Sequence, residues 1–169
     1  DIAFKLAPRL NAATRMGRTD VSLALLTSND AAAAPGLAKQ LDDLNKQRQA
    51  ADRAMFDEIR NQLDDMPAEE PVIMRNDHWN AGLLGLVASR IVQQVGRPAA
   101  LVSGKNGDPA KGSMRTVKGF DAYAALGRCS EHLEGHGGHA MAAGFSMRLE
   151  NFEAFRDSLR QAWTDHLDG

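Results

Sequence analysis

Gly137-Gly138-His139-Ala140-Met141-Ala142-Ala143-Gly144-Phe145 is the stretch on which the fold turns. Two glycines, a histidine and a run of small residues suit neither a helix start nor an ordinary core strand. A residue without Cβ lets backbone come close to a ligand or to another segment. The small apolar run Ala142 to Met147 reads as a buried strand. The stretch therefore predicts a glycine turn feeding a strand, with His139 at its mouth and able to offer a ring nitrogen. If Gly137 and Gly138 bring backbone close to a ligand, a methyl at Gly138 should block the ligand before it unfolds the domain.

Some twenty residues earlier stands Lys111-Gly112-Ser113-Met114-Arg115-Thr116-Val117. Its alternation fits a strand of period two, Lys111 to Val117. Ser113 and Arg115 then share a face, two residues apart. A guanidinium fork beside a hydroxyl is a receptor for phosphate or carboxylate. A solvated face of an edge strand would show the same alternation.

The rest of the chain supplies the frame. Residues 1–18 read as irregular, punctuated by Pro8, Asn11 and Gly17. A short helix is expected from Asp20 to Leu26. Asn29 or Asp30 could cap the helix that follows, the longest element. Its apolar positions Leu37, Leu41, Leu44, Ala51, Met55, Ile59, Leu63 and Met66 recur at spacings near three and four. Pro71 to Arg75 reads as a strand, Leu83 to Val95 as a helix, Ala99 to Ser103 as a second strand. Ala122 to Leu133 reads as helical. Asn151 is placed to cap a last helix, with Phe152, Phe155, Leu159 and Trp163 at core spacing. The order β-α-β-β-α-β-α implies an α/β fold, a small mixed sheet covered by helices and preceded by a long connecting helix.

Composition narrows the function classes. The chain has 169 residues, 43% of them apolar, enough for one core with an appended element. Its net charge of −2 does not announce a nucleic-acid protein. Charge is local instead: Lys105 to Lys118 holds four basic residues and one acid, and Asp1 to Asp20 four basic residues and two acids. If the two stretches meet, they make a positive field on a neutral background. Cys129 is the only cysteine, which rules out an internal disulfide and favours a reducing cytoplasm. No membrane-length apolar run is present. His132, His136 and His139 have a spacing that a helix could turn toward zinc, but Gly135, Gly137 and Gly138 argue against that helix. No metal site is expected here. Ser113 has no neighbouring base, and the acidic residues form no evident catalytic pair.

The two motifs together, Gly112-Ser113-x-Arg115 and Gly137-Gly138-His139-x-x-Ala142-Ala143-Gly144, resemble the DHH-associated domain of the DHH phosphoesterase superfamily. Three further stretches are similar to the single-strand-specific DNA exonucleases of the RecJ type within it. These are Pro8-Arg9-Leu10-Asn11-Ala12-Ala13-Thr14-Arg15-Met16-Gly17, Leu44-Asn45-x-x-Arg48, and Trp79-x-x-Gly82-x-x-Gly85-Leu86-Val87-Ala88-Ser89-Arg90 with Arg97-Pro98. The glycine–histidine motif is shared across the superfamily, whereas the first and last of the three stretches discriminate. Thr14 stands where these sequences usually carry glycine, His136 where an aromatic is usual, and no Asp-His-His occurs.

The resemblance implies that residues 1–29 are the tail of a DHH catalytic domain, 30–68 a connecting helix and 69–169 the substrate-binding domain. It implies 5′→3′ digestion of single-stranded DNA by a larger, monomeric, cytoplasmic enzyme. Mn²⁺ or Mg²⁺ would be held by the DHH domain and not by this chain. It carries Ser113 and Arg115 over as holding the 5′ end, and Gly137, Gly138 and His139 as lying near the nucleotide removed. His139 is the one candidate for a catalytic role. Arg9, Asn11 and Arg15 carry over as phosphate or strand contacts. Two other readings remain at this stage. One is a related phosphoesterase for short oligonucleotides or small nucleotides. The other is a non-catalytic module dimerising through the long helix.

Overall fold

The structure, a computed structural model, describes residues 2–105 and 107–169. Contacts divide the chain into two units, Asp1–Ala54 and Met55–Gly169.

The first unit is helical. A single π-helical turn, Ile2–Leu6, leads into α1 (Ala7–Arg15), followed by α2 (Thr19–Thr27) and the first part of α3 (Ala34–Leu63). The irregular segment expected over residues 1–18 is therefore mostly helix. Pro8 falls in the first turn of α1, where a missing N–H breaks no hydrogen bond. Leu10, Ala13 and Met16 recur at helical spacing and pack with Val21, Leu25, Leu37, Leu41 and Leu44. The Ser22 hydroxyl donates to the Leu10 carbonyl at 2.9 Å, fixing α2 to α1. Asp30 does not cap α3 itself. Its carboxylate accepts from the Ala32 N–H at 2.8 Å and closes a turn ahead of the helix.

The second unit takes the end of α3, where Met55, Ile59 and Leu63 are buried. It continues with β1 (Val72–Arg75), α4 (Leu84–Val95), β2 (Ala99–Ser103), β3 (Ala110–Arg115), α5 (Ala122–Arg128), β4 (Gly135–His139), β5 (Ala142–Met147) and α6 (Phe152–Leu167). The five strands form one sheet in the order β1-β2-β3-β5-β4. β1 and β2 are parallel and joined through α4, while the other pairs are antiparallel. The mixed sheet under helices is the expected fold class.

Alternation along the strands sorts the residues. Ala100, Val102, Ala110, Met114, Ala143, Phe145 and Met147 face α5 and α6, which contribute Leu126, Phe155, Leu159 and Trp163. The four apolar residues of the last helix, Phe152, Phe155, Leu159 and Trp163, are all buried there. The opposite face is covered by α4 over β2 and β3.

Boundaries differ from expectation at several points: β3 runs Ala110–Arg115 and stops short of the expected Val117. α5 stops at Arg128 and a 3₁₀ turn, Ser130–His132, follows. Asn151 stands ahead of α6 but makes no side-chain cap; its amide donates to the His132 carbonyl. Most important, the double glycine is no turn. It lies inside β4, and the turn is Ala140–Met141 between β4 and β5. The hairpin is held by backbone pairing with β5, which needs no side chains from β4.

Candidate nucleic-acid interface

Directly opposed residues of antiparallel strands share a face, so the register builds the site row by row. One row runs Leu101, Ser113, Gly144, Gly137 across β2, β3, β5 and β4. The next runs Ala99, Arg115, Ala142, His139. Ser113, Arg115, Gly137 and His139 thus come together on one sheet face, the one opposite the aromatic core. Arg115 and His139 are two strands apart, about 10 Å between backbones at normal strand spacing.

Between them the floor is nearly bare. Gly144 and Gly137 add no side chain, and Ala142 adds a methyl. Gly137, Gly144 and His139 are exposed, while Ser113 and Arg115 are half-buried. A Cβ at Gly137 would meet nothing within 4 Å. The result is a shallow trough with a cationic side and an imidazole side. Lys111 shares the face one row further along, opposite Ser146. Lys111 and Gly144 stood in the quoted motifs without a role; strand alternation could have added both.

Arg115 is held in place. Its Nη1 donates to the Ser113 hydroxyl at 2.9 Å and to the Met114 carbonyl at 2.8 Å. The Ser113 oxygen accepts that bond, and its own O–H remains a donor. An anion in the trough would meet a hydroxyl donor beside a fixed guanidinium, a pairing suited to phosphate.

Gly138 has a different office from Gly137. Its φ is +144°, and a Cβ there would lie 2.5 Å from the Ala142 carbonyl oxygen and 2.5 Å from Ala143 Cα. Those neighbours are backbone and cannot step aside. The expected outcome for a methyl at Gly138, ligand blocked and fold spared, is thereby corrected. Gly138 is required by the hairpin, and Gly137 is the position that tests ligand approach.

The three histidines part company. His132 meets Ser158 at 3.0 Å, and His136 lies against Tyr123 with ring centroids 5.3 Å apart. His139 is on the other face from His136, three residues away along one strand. Among the described residues no group of three or more His, Cys, Asp or Glu is placed to hold a metal ion. The buried Cys129 thiol is pushed up to about 11 by desolvation, so it is protonated and a poor nucleophile at neutral pH.

Arg9, Asn11 and Arg15 lie on α1, in the other unit. Arg9 donates to the Asp42 carboxylate on α3 and to the Lys5 carbonyl. Asn11 is exposed and Arg15 half-buried.

Comparison with known proteins gives this geometry a family. The DHHA1 domain profile matches residues 69–165, the span of the sheet and its helices. The single-stranded-DNA-specific exonuclease RecJ of Bacillus subtilis is 35% identical over 162 residues, 95% of this chain and 21% of that protein. The crystal structure of RecJ in complex with Mg²⁺ from Thermus thermophilus superposes with a TM-score of 0.88 at 34% identity, over 97% of this chain and 26% of that one. A structure of exonuclease RecJ bound to manganese gives 0.85 at 34% identity, over 99% of this chain and 42% of that one. The chain thus spans less than half of the relatives it matches. With the profile covering both motifs and every strand, the chain belongs to the DHHA1 domain family, in the form that RecJ exonucleases carry.

Proposed function

We propose that this chain is the phosphate-binding, substrate-clamping part of a 5′→3′ single-stranded-DNA exonuclease. The observation that carries the reading is the trough of Ser113, Arg115 and His139 around bare Gly137 and Gly144. The RecJ name of the relatives supports the substrate class. In this reading residues 69–169 are the substrate-binding domain, 30–68 the connecting helix and 1–29 the tail of a DHH domain. Ser113 and Arg115 hold the 5′ phosphate. His139 and the Gly137–Gly138 amides lie near the nucleotide that leaves. Arg9, Asn11 and Arg15 give nucleic-acid phosphates contacts on their own unit.

Divalent ions, Mn²⁺ or Mg²⁺, would belong to a domain outside this chain, where they activate water and stabilise developing charge. The chain alone is therefore expected to release no nucleotides. Dimerisation through the long helix finds no support, because Leu41, Leu44, Met55, Ile59 and Leu63 are already buried within the chain.

The test uses the whole protein that carries this chain, acting on long single strands with 5′-phosphate or 5′-hydroxyl ends. A charge-assisted hydrogen bond is worth about 1.5–3 kcal/mol. Arg115→Ala should therefore lower the 5′-phosphate preference by about tenfold to a hundredfold. Arg115→Lys should recover only part, for want of the planar fork. Equal rates on both ends, in wild type and variant alike, would overturn the assignment. A marked preference for di- and trinucleotides over long strands would move it to the small-oligonucleotide phosphoesterases.

A further inference from the structure

We propose that Gly85 is a positioning residue for phosphate recognition, keeping the Arg115 guanidinium over Ser113. The inference rests on the reading of the trough given above. Gly85 is the second residue of α4, the helix that covers β3. A Cβ built there would lie 2.4 Å from Arg115 Nη2, 3.0 Å from Cζ and 2.9 Å from the Ser113 Oγ. These contacts are impossible for a real methyl, so the first turn of α4 lies directly on the pair.

What must yield decides the consequence. The crowded atoms are the far ends of two side chains, not backbone. Rotation of Arg115 and Ser113 relieves the clash without moving strand or helix. Alanine is also a better helix former than glycine. The substitution is thus cheap for the fold and costly for the pose that presents two donors to an anion. That pattern is the reverse of an ordinary packing glycine. It is also the reverse of Gly138, whose Cβ would strike the backbone of β5.

The experiment compares Gly85→Ala, Arg115→Ala and the double variant in the whole protein. It reads melting temperature and the ratio of turnover on 5′-phosphate to 5′-hydroxyl single strands. Gly85→Ala should melt at or above wild type and lose about tenfold in the ratio, the scale of one charge-assisted hydrogen bond. In the Arg115→Ala background it should cost much less, because the guanidinium it displaces is gone and only the Ser113 hydroxyl is left in its way. A wild-type ratio in Gly85→Ala, beside a reduced one in Arg115→Ala, would overturn this inference alone. So would a large fall in melting temperature, or an equal further loss in the double variant. An unchanged ratio in Arg115→Ala would overturn the reading of the trough, and the role of Gly85 with it.

Discussion

The two faces of the sheet are built from the same strands to opposite rules. On one face Met114, Val102 and Met147 have no exposed surface, and Phe145 stacks within 4.9 Å of Phe155. On the other, α4 covers β2 and β3. The rows then run out over Gly144, Ala142, Gly137 and His139 toward solvent. β3 contributes to both: Met114 is buried in the core, and Arg115 beside it lies in the trough. Strand alternation separates what the fold needs from what the site needs by one residue. Substitutions one residue apart should therefore fail in different assays.

The largest effect belongs to the core face. Met114→Ala removes a fully buried side chain between sheet and helices and should cost about 2–5 kcal/mol. Urea unfolding measures it as a lowered midpoint with an unchanged slope. Arg115→Ala should unfold near wild type while losing end recognition. A comparable loss of stability in both would show that the two faces are not independent.

The double glycine sharpens the comparison within one strand. Gly138→Ala puts a methyl against β5 backbone at a φ disfavoured for L residues, so a loss of about 1 kcal/mol or more is expected. Gly137→Ala meets open space and should melt like wild type. If nucleotide lies on the bare floor, the same Gly137→Ala variant should turn over single strands more slowly in the whole protein. Normal turnover would leave the trough with no ligand at that point. A stable Gly138→Ala variant would contradict the hairpin geometry.

How far the sequence disclosed this depends on whether side chains or backbone carry the element. Ala99–Ser103 matches its strand bound for bound, because a run of small and apolar residues marks a strand buried on both faces. Phe152, Phe155, Leu159 and Trp163 announced the last core helix by spacing alone. Ser113 and Arg115 were legible as a pair because alternation is local. β4 was not legible: Gly-His-Gly-Gly-His has no strand propensity, and only the hairpin with β5 makes it one. α1 was hidden by Pro8 and Gly17, which mark its ends more than they break it. Gly85 stood in a quoted motif without a role, since its meaning depends on which strand passes under α4.

The smallest predicted effect lies at the rim of the core face, where α5 meets α6. Arg128 donates to the Asp165 carboxylate, and Gln161 Nε2 donates to the same group at 2.7 Å. The hydrogen bond from Arg128, with that from Gln161 second, holds the Asp165 carboxyl below its ordinary 3.8. A carboxyl lowered in the folded state stabilises the fold above its unfolded value. That contribution fades as pH falls through the folded value. Both side chains are well exposed, so solvent and salt screen the pair and the gain is small. Asp165→Asn should therefore lower the melting temperature slightly at neutral pH, and the gap should close on the acid side of 3.8. Added salt should narrow it at neutral pH as well. A gap that stays constant through acid and through salt would mean that Asp165 acts by packing. The rim would then belong, like Met114, to the face that builds the fold.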